Sequence, residues 1–149
     1  MDLGSITTYQ AGVAQSSAYR NLNKLFSDML KTHGLTSMQW FVLGTINDSS
    51  PAGIQLTQLS VKLQTGLPFI TNTINLLESK GMVQRKDSPT DSRAKYVSIH
   101  PDFIPECQQI EEDLRVKLRA SVYAEVTREH LEIYFMVLQQ LSNIKPRET

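Results

Sequence analysis

The chain has few of the features on which disulfide bonding, membrane insertion or export depend. Its 149 residues include a single cysteine, Cys107, so no disulfide can form within one chain, as is usual in a reducing cytoplasm. No apolar run approaches the roughly 18 residues that indicate a membrane-spanning helix. The amino-terminal stretch MDLGSITTYQ has neither the basic nor the apolar region of a signal peptide. We therefore expect a cytoplasmic protein with no membrane partner.

Catalytic and metal-binding patterns are equally scarce. His33, His100 and His130 are scattered along the chain, without the spacing of metal ligands and without a nearby cysteine. No glycine-rich phosphate loop and no nucleophile elbow is present in the sequence. We expect neither an enzyme nor a protein that carries a metal or a cofactor.

Charge of one sign is not in excess over the whole chain, but its distribution is uneven. Fifteen basic residues balance fifteen acidic ones, so the formal net charge is zero. Residues 56–100 nevertheless hold six basic residues against three acidic ones, a local balance of +3. A basic middle between acidic ends points to that middle segment as the part that meets an anionic partner.

Apolar residues recur every three or four positions in the first third of the chain, which predicts helices. A long helix spans residues 9–32. A second and very apolar helix spans 36–48, with Thr36 or Ser37 as its cap, and residues 49–53 form a loop.

Two shorter helices are predicted next. The first spans 54–64 with Thr57 as its cap. The second spans 67–81, with Thr65 as its cap and Pro68 in its first turn, where the missing N–H does no harm. Its buried face is predicted to comprise Ile70, Ile74 and Leu77.

The apolar period then changes from about four to two, which predicts a β-hairpin. Residues 82–88 and 95–101 are its strands, around a turn at 89–94 rich in turn-forming residues. Beyond Pro105 the helical period returns, and a last amphipathic helix ends before Pro146.

This order of elements predicts a mainly α fold with a small β-hairpin wing, a winged helix-turn-helix. We expect one chain, 1–149, with a winged-helix lobe at 34–101 and helical regions at 1–33 and 102–149. The flanking helices carry apolar stripes that so small a lobe cannot cover. A helical homodimer interface is the natural place to bury them.

The run LESKGMVQRKDSPTDSRAKYVSI, residues 77–99, resembles the MarR family of bacterial transcription regulators. In that family a Leu-Glu-x-x-Gly-hydrophobic-Val-x-Arg pattern leads into a wing that carries Asp-x-Arg. Residues 77–85 carry the first pattern, and Asp91 and Arg93 carry the second. The segment 35–46 is similar to the second helix of the family.

The resemblance implies a homodimer whose two winged lobes bind a pseudo-palindromic operator on double-stranded DNA. Many members release the DNA when a small phenolic or anionic ligand enters the cleft between the lobe and the dimer region, and others respond to thiol oxidation. Tyr9, Val13, Met38, Trp40 and Phe41 lie on segments that border this cleft in the family, although we favour core packing as the role of each. Cys107 is the sensing thiol or, as we favour, an inert small side chain.

The open face of the 67–81 helix holds the residues suited to reading base edges. Asn bonds an adenine edge bidentately, Thr pairs with several edges, and Phe or a Thr methyl contacts a thymine methyl. The helix amino end suits a phosphate. The predicted DNA-binding residues on this side are Thr65, Pro68, Phe69, Thr71, Asn72 and Asn75.

The hairpin supplies a second predicted contact. An arginine at a hairpin tip can enter an A·T-rich minor groove, so we assign that role to Arg93. Asp91 then accepts turn N–H groups or orients the guanidinium. The alternative is a solvated turn whose exposed ion pairs contribute little. Lys86 and Lys95 either contact phosphates or protect a strand edge from pairing with another chain. Arg85 completes the predicted contacts of the hairpin.

The sequence departs from the family at two positions of the same helix. Many relatives have arginine where this chain has Asn72, and Leu76 occupies another position that is often basic. Fewer phosphate contacts predict a weaker or less salt-dependent affinity, because each neutralised phosphate adds about 0.9 to the salt slope. We predict a sequence-specific DNA-binding transcription regulator that acts as a repressor. A ligand-binding or protein-interaction module on the same fold, without specific DNA binding, is the alternative.

Overall fold

The computed structural model describes residues 3–88, 90, 91, 93 and 95–145. Along the chain lie α1 (Thr8–Lys31), α2 (Ser37–Asp48), β1 (Ile54–Gln55), α3 (Leu56–Lys62), α4 (Leu67–Ser79), β2 (Val83–Asp87), β3 (Lys95–Ile99), α5 (Ile104–Ser121) and α6 (Arg128–Ser142). Short 3-10 turns occur at Leu3–Ser5 and Pro101–Phe103. The predicted mainly α fold with a small β wing is confirmed.

The first two helices start at threonine caps, as their sequences favour. At the start of α1, Oγ1 of Thr7 accepts from the backbone N–H of Gln10, and Oε1 of Gln10 accepts from the backbone N–H of Thr7. Thr36 and Gln39 form the same reciprocal pair at the start of α2. Each pair satisfies two backbone donors that a helix start leaves open, so the predicted cap at Thr36 is confirmed.

The predicted caps of the next two helices are wrong. Gln55, rather than Thr57, is the N-cap of α3, and its backbone N–H donates to Oε1 of Gln58. Gly66, rather than Thr65, is the N-cap of α4 and makes no side-chain capping bond. The extended backbone that precedes each helix ends two residues before Thr57 in α3 and one residue after Thr65 in α4.

The sheet has three strands in the order β1-β3-β2, although the sequence predicted only two. Val97 of β3 is opposite Arg85 of β2 on one side and Ile54 of β1 on the other. The backbone before β1 turns at Gly53, whose φ is +86°. A β-carbon there would lie 2.6 Å from the carbonyl oxygen of Val97, so the close approach of β1 to β3 requires glycine.

The apolar core of the lobe joins α2, α3, α4 and the sheet. The predicted buried face of α4 is confirmed, because Ile70, Ile74 and Leu77 have no exposed surface. The helix ends at Ser79 with Lys80 as its C-cap, two residues before the predicted end, and Gly81 follows in the left-handed conformation with φ +73°. Other core side chains with 1% exposure or less are Leu30, Val42, Leu43, Ile46, Leu59, Val83, Val97 and Ile110.

The chain forms two compact units, residues 1–110 and 111–149. In the second unit α6 begins at the cap Thr127 and ends at Ser142; the stop predicted at Pro146 lies outside the described residues. No residue of α6 is buried. Its large apolar side chains are 42–60% exposed at Ile133, Tyr134, Phe135, Met136, Val137, Leu138 and Leu141.

Candidate nucleic-acid interface

One face of α4 is turned away from the core and carries polar and aromatic side chains. Phe69 is 46% exposed, and Pro68, Asn72 and Asn75 are also exposed. Thr71 is half-buried, and its hydroxyl donates to the carbonyl oxygen of Leu67 at 3.0 Å. Thr71 therefore offers a partner its methyl group and the lone pairs of its hydroxyl oxygen.

The first turn of α4 has no side-chain cap. Thr65 is half-buried and held to the preceding helix, because its carbonyl oxygen accepts from the hydroxyl of Ser60 at 2.6 Å. The N-cap is Gly66, and Pro68 in the first turn has no N–H to satisfy. The remaining first-turn N–H groups carry the positive end of the helix dipole, where an anion is stabilised.

The tip of the wing is shaped by two local hydrogen-bond acceptors. Oγ of Ser88 accepts from the backbone N–H groups of Thr90 and Asp91, at 3.3 Å each. Oδ1 of Asp91 accepts from the backbone N–H of Arg93 at 2.9 Å. Asp91 thus organises the backbone of the turn. Arg93 is exposed, and within the described part of the chain its guanidinium meets no carboxylate. Pro89, Ser92 and Ala94 of the predicted turn lie outside the described residues.

The two wing lysines have different surroundings. Lys86 is exposed on β2, opposite Tyr96. Lys95 opens β3 opposite Asp87 and forms an ion pair with it. Both groups of that pair are more than half exposed, so it contributes little to stability and yields readily to another anion.

Arg85 connects the wing to α4. Its Nη2 donates to Oδ1 of Asn75 at 2.7 Å, and its Nη1 is paired with Oε1 of Glu78. Asn75 and Glu78 are three residues apart, so they share one face of α4 and one guanidinium can reach both. Arg85 is only 28% exposed at its side chain. Both of these contacts join β2 of the wing to α4.

The wing, the start of α3 and the start of α4 together line an open groove of about 450 Å³. Arg85, Arg93, Lys95 and Asp91 are its charged lining residues. Arg85 and Lys95 are paired with Glu78 and Asp87, so Arg93 is the basic lining residue that forms no ion pair among the described residues. The other side chains that line the groove are Gln55, Leu56, Thr57, Leu67 and Thr71. Residues from distant parts of the sequence therefore line one groove.

The residues predicted to contact a ligand lie on α1 and α2, in different surroundings. Tyr9 and Val13 are 69% and 64% exposed on the first half of α1. Trp40 is 7% exposed and belongs to the core, whereas Met38 is half-buried. Phe41 packs against Phe26 with ring centroids 6.0 Å apart. Cys107, on α5, is 5% exposed.

The described residues include neither a membrane-spanning helix nor a cluster of metal ligands. No helix in that part of the chain is both long and apolar enough to cross a membrane. Its His, Cys, Asp and Glu side chains also form no cluster of three or more that could bind a metal ion.

Sequence reasoning missed the bridge from Arg85 to α4 and the strand β1. The three-residue spacing of Asn75 and Glu78 was visible, but the approach of Arg85 to them depends on how the hairpin folds back. Gly53 followed by the extended pair Ile54–Gln55 was the only local signal for β1.

Known proteins share this sequence pattern and this fold. Residues 33–94 match the sequence profile of the MarR family. Wild-type apo MarR from E. coli superimposes with a TM-score of 0.72 at 21% identity, over 91% of this chain and 96% of that one. A mutant of E. coli MarR complexed with operator DNA gives 0.73 at 22% identity, over 87% and 91% of the two chains. S. aureus MepR in its DNA complex gives 0.73 at 16% identity, over 94% and 100%.

The profile match covers α2, β1, α3, α4 and β2, and the structural matches show the same winged-helix fold over most of the chain. The segment 33–94 therefore resembles the MarR family, whose members are transcription regulators.

Proposed function

We propose that this protein is a sequence-specific DNA-binding transcription regulator that binds a pseudo-palindromic operator as a homodimer. The observation that carries the proposal is the groove between α4 and the wing, where the Arg93 side chain is exposed. It collects the three basic residues Arg85, Arg93 and Lys95 beside the open amino end of the helix.

The groove lies between a helix and a hairpin, and such a groove can enclose one strand of a DNA backbone. In B-DNA one sugar-phosphate strand separates a major groove from the adjacent minor groove, so a helix in one and a hairpin in the other must enclose that strand. Lys95 and the first-turn N–H groups of α4 would contact its phosphates, and the exposed Lys86 would add a contact from β2. Arg93 would extend beyond them into the minor groove.

Base reading falls to the open face of α4. Asn72 is exposed, and among the described residues nothing bonds its amide, so both amide atoms can pair with an adenine edge. Phe69 and the methyl of Thr71 suit thymine methyl groups. Pro68 and Thr65 set the start of the helix and bring its dipole to a phosphate.

The homodimer is supported by the apolar surface of α6 and of the first half of α1. Fifteen residues of α6 include no buried one, although its side chains are mostly large and apolar. On α1, Tyr9, Val13 and Tyr19 are 64–70% exposed. Exposed apolar side chains in this number mark a protein interface on each of the two helices, and a two-fold dimer would place two lobes on the half-sites of a palindrome.

We propose further that the protein acts in the cytoplasm as a repressor and that a small phenolic or anionic effector releases it from DNA. The operator complex of its E. coli relative supports the first part. Apolar contacts to such an effector are available from half-buried Met38 and from the exposed Tyr9, Val13 and Phe41. Trp40 is buried in the core and would contact the effector only through the small part of it that is exposed.

A fluorescence anisotropy titration tests the proposal. The full-length protein is titrated against duplexes enriched from a genomic pool and against random duplex of equal length, between about 50 and 200 mM salt. We expect an enriched palindrome with half-site centres about 10 bp or a multiple of it apart, bound at least 10³-fold more tightly than random DNA. Equal affinity for both duplexes would instead identify a ligand-binding or protein-interaction module.

A further inference from the structure

The bond between Arg85 and Asn75 fixes which way the Asn75 side chain faces. A guanidinium only donates hydrogen bonds, so the amide atom 2.7 Å from Nη2 of Arg85 must be the oxygen. The amide nitrogen of Asn75 then points away from Arg85. Glu78 holds the other side of the same guanidinium and keeps it in place.

This orientation changes what Asn75 offers to a base. Bidentate recognition of adenine needs the amide oxygen to accept from N6 and the amide nitrogen to donate to N7. The oxygen of Asn75 already accepts from a cation, and a positive charge beside it repels a second donor such as the adenine amino group. Asn75 is left with its N–H donors, next to a cation.

We propose that Asn75 selects a base that presents acceptors, guanine foremost, and rejects cytosine, and that Arg85 is the positioning residue which sets this preference. The inference rests on the proposed function, since it concerns the same DNA interface. Guanine has two adjacent acceptors, N7 and O6, in the major groove, whereas cytosine presents only its amino donor. Asn72, whose amide is unoccupied, differs in being able to read adenine with both atoms.

Selection of operators from a randomised duplex pool, followed by sequencing, tests this with a matched set of full-length variants. In the parent protein we expect guanine at one position of each half-site. Asn75→Ala and Asn75→Ser should each reduce that preference about 3–10-fold, the value of one hydrogen bond. Asn72→Ala is the matched control, and it should change a different position and leave the guanine unchanged.

Arg85 is tested at the same position of the motif. Arg85→Ala frees the amide of Asn75, so adenine should rise at that position, whereas Arg85→Lys retains a donor to Oδ1 and should retain guanine. A purely structural role of Arg85 would weaken binding to all sequences alike and shift no base preference.

The outcomes separate the two proposals. If the parent protein selects a motif and Asn75→Ala selects the same motif with unchanged base frequencies, this inference is overturned and the regulator function stands. Adenine as the preferred base at the Asn75-dependent position, or no change there with Arg85→Ala, overturns it as well. If the parent protein selects no motif at all, the proposed function fails and the inference with it.

Discussion

Oδ1 of Asp91 accepts a hydrogen bond from the backbone N–H of Arg93 at 2.9 Å, and the Arg93 guanidinium is left exposed beyond it. The acidic residue at the wing tip therefore shapes the backbone rather than neutralising the arginine. An acidic residue next to Arg93 is compatible with DNA binding, because Oδ1 of Asp91 accepts a bond from the backbone of the turn and its carboxylate does not pair with the guanidinium.

Replacing Arg93 by alanine should weaken operator binding without affecting the fold. The guanidinium makes no ion pair among the described residues, so its loss leaves no buried group unpaired. We expect affinity to fall about tenfold or more at low salt and the melting temperature to stay within about a degree, given the small effects of exposed substitutions. Arg115→Ala removes the same charge from an exposed ion pair on α5 and should leave affinity unchanged. Equal affinity for Arg93→Ala and the parent would remove the wing from the interface.

Replacing Glu78 by glutamine should strengthen DNA binding. The change removes a negative charge from the side of α4 that carries Asn75 and leaves the charge of Arg85 unbalanced, while glutamine can still accept its hydrogen bond. Arg85 then neutralises one phosphate more, so the salt slope should become steeper by about 0.9 per lobe. Anisotropy titrations at four or more salt concentrations measure it, and a slope equal to the parent's would show that Arg85 stays out of reach of DNA.

Gly53 and Gly12 provide a matched pair for stability. Alanine at position 53 would have to adopt φ +86° and place its β-carbon 2.6 Å from the Val97 carbonyl oxygen. We expect the free energy of unfolding to fall by about 2 kcal/mol or more in a denaturant titration. Nothing lies within 4 Å of a β-carbon at Gly12, inside α1, so Gly12→Ala should instead stabilise the protein by up to about 1 kcal/mol. Similar values for the two variants would contradict the close approach of β1 to β3.

Introducing a charge on α6 should separate the proposed dimer. Phe135 is 60% exposed on this wholly unburied helix, and a carboxylate there would lose its hydration on association. We expect Phe135→Asp to sediment as a monomer at micromolar concentration and to bind the palindrome more weakly. Val61→Asp changes an apolar residue of α3 that is 76% exposed, and it should sediment like the parent. A dimeric Phe135→Asp protein would place the interface elsewhere.

Oxidants should not change DNA binding by reacting with the single thiol, Cys107. Cys107 is 5% exposed, so a reagent in solution has little access to its sulfur in the folded protein. Iodoacetamide should label it only after denaturant unfolding, as mass spectrometry can measure, and peroxide should not change operator affinity through it. Loss of affinity in peroxide that is absent from Cys107→Ser would identify a thiol sensor.

The parts of this fold that sequence reasoning predicted are those with a local cause. The period change after Gly81 gave the wing, the steps of three and four gave the face of α4 with Ile70, Ile74 and Leu77, and the spacing from Asp91 to Arg93 allowed a bond within the turn. β1 was missed because two residues are too few to show a period. The partners of Arg85 were missed because they lie seven and ten residues earlier on a different element, where only the folded hairpin brings them together.

The strand β3 is bonded to β1 on one side and to β2 on the other, and β2 is in turn held to α4 through Arg85. Among the described residues, the strands of the wing are therefore tied to the helix assigned to the major groove. The spacing between α4 and these strands is set by the protein. An operator whose grooves are spaced differently would have to bend or twist to fit, so the stiffness of the DNA between the contacts would itself become part of the recognised sequence.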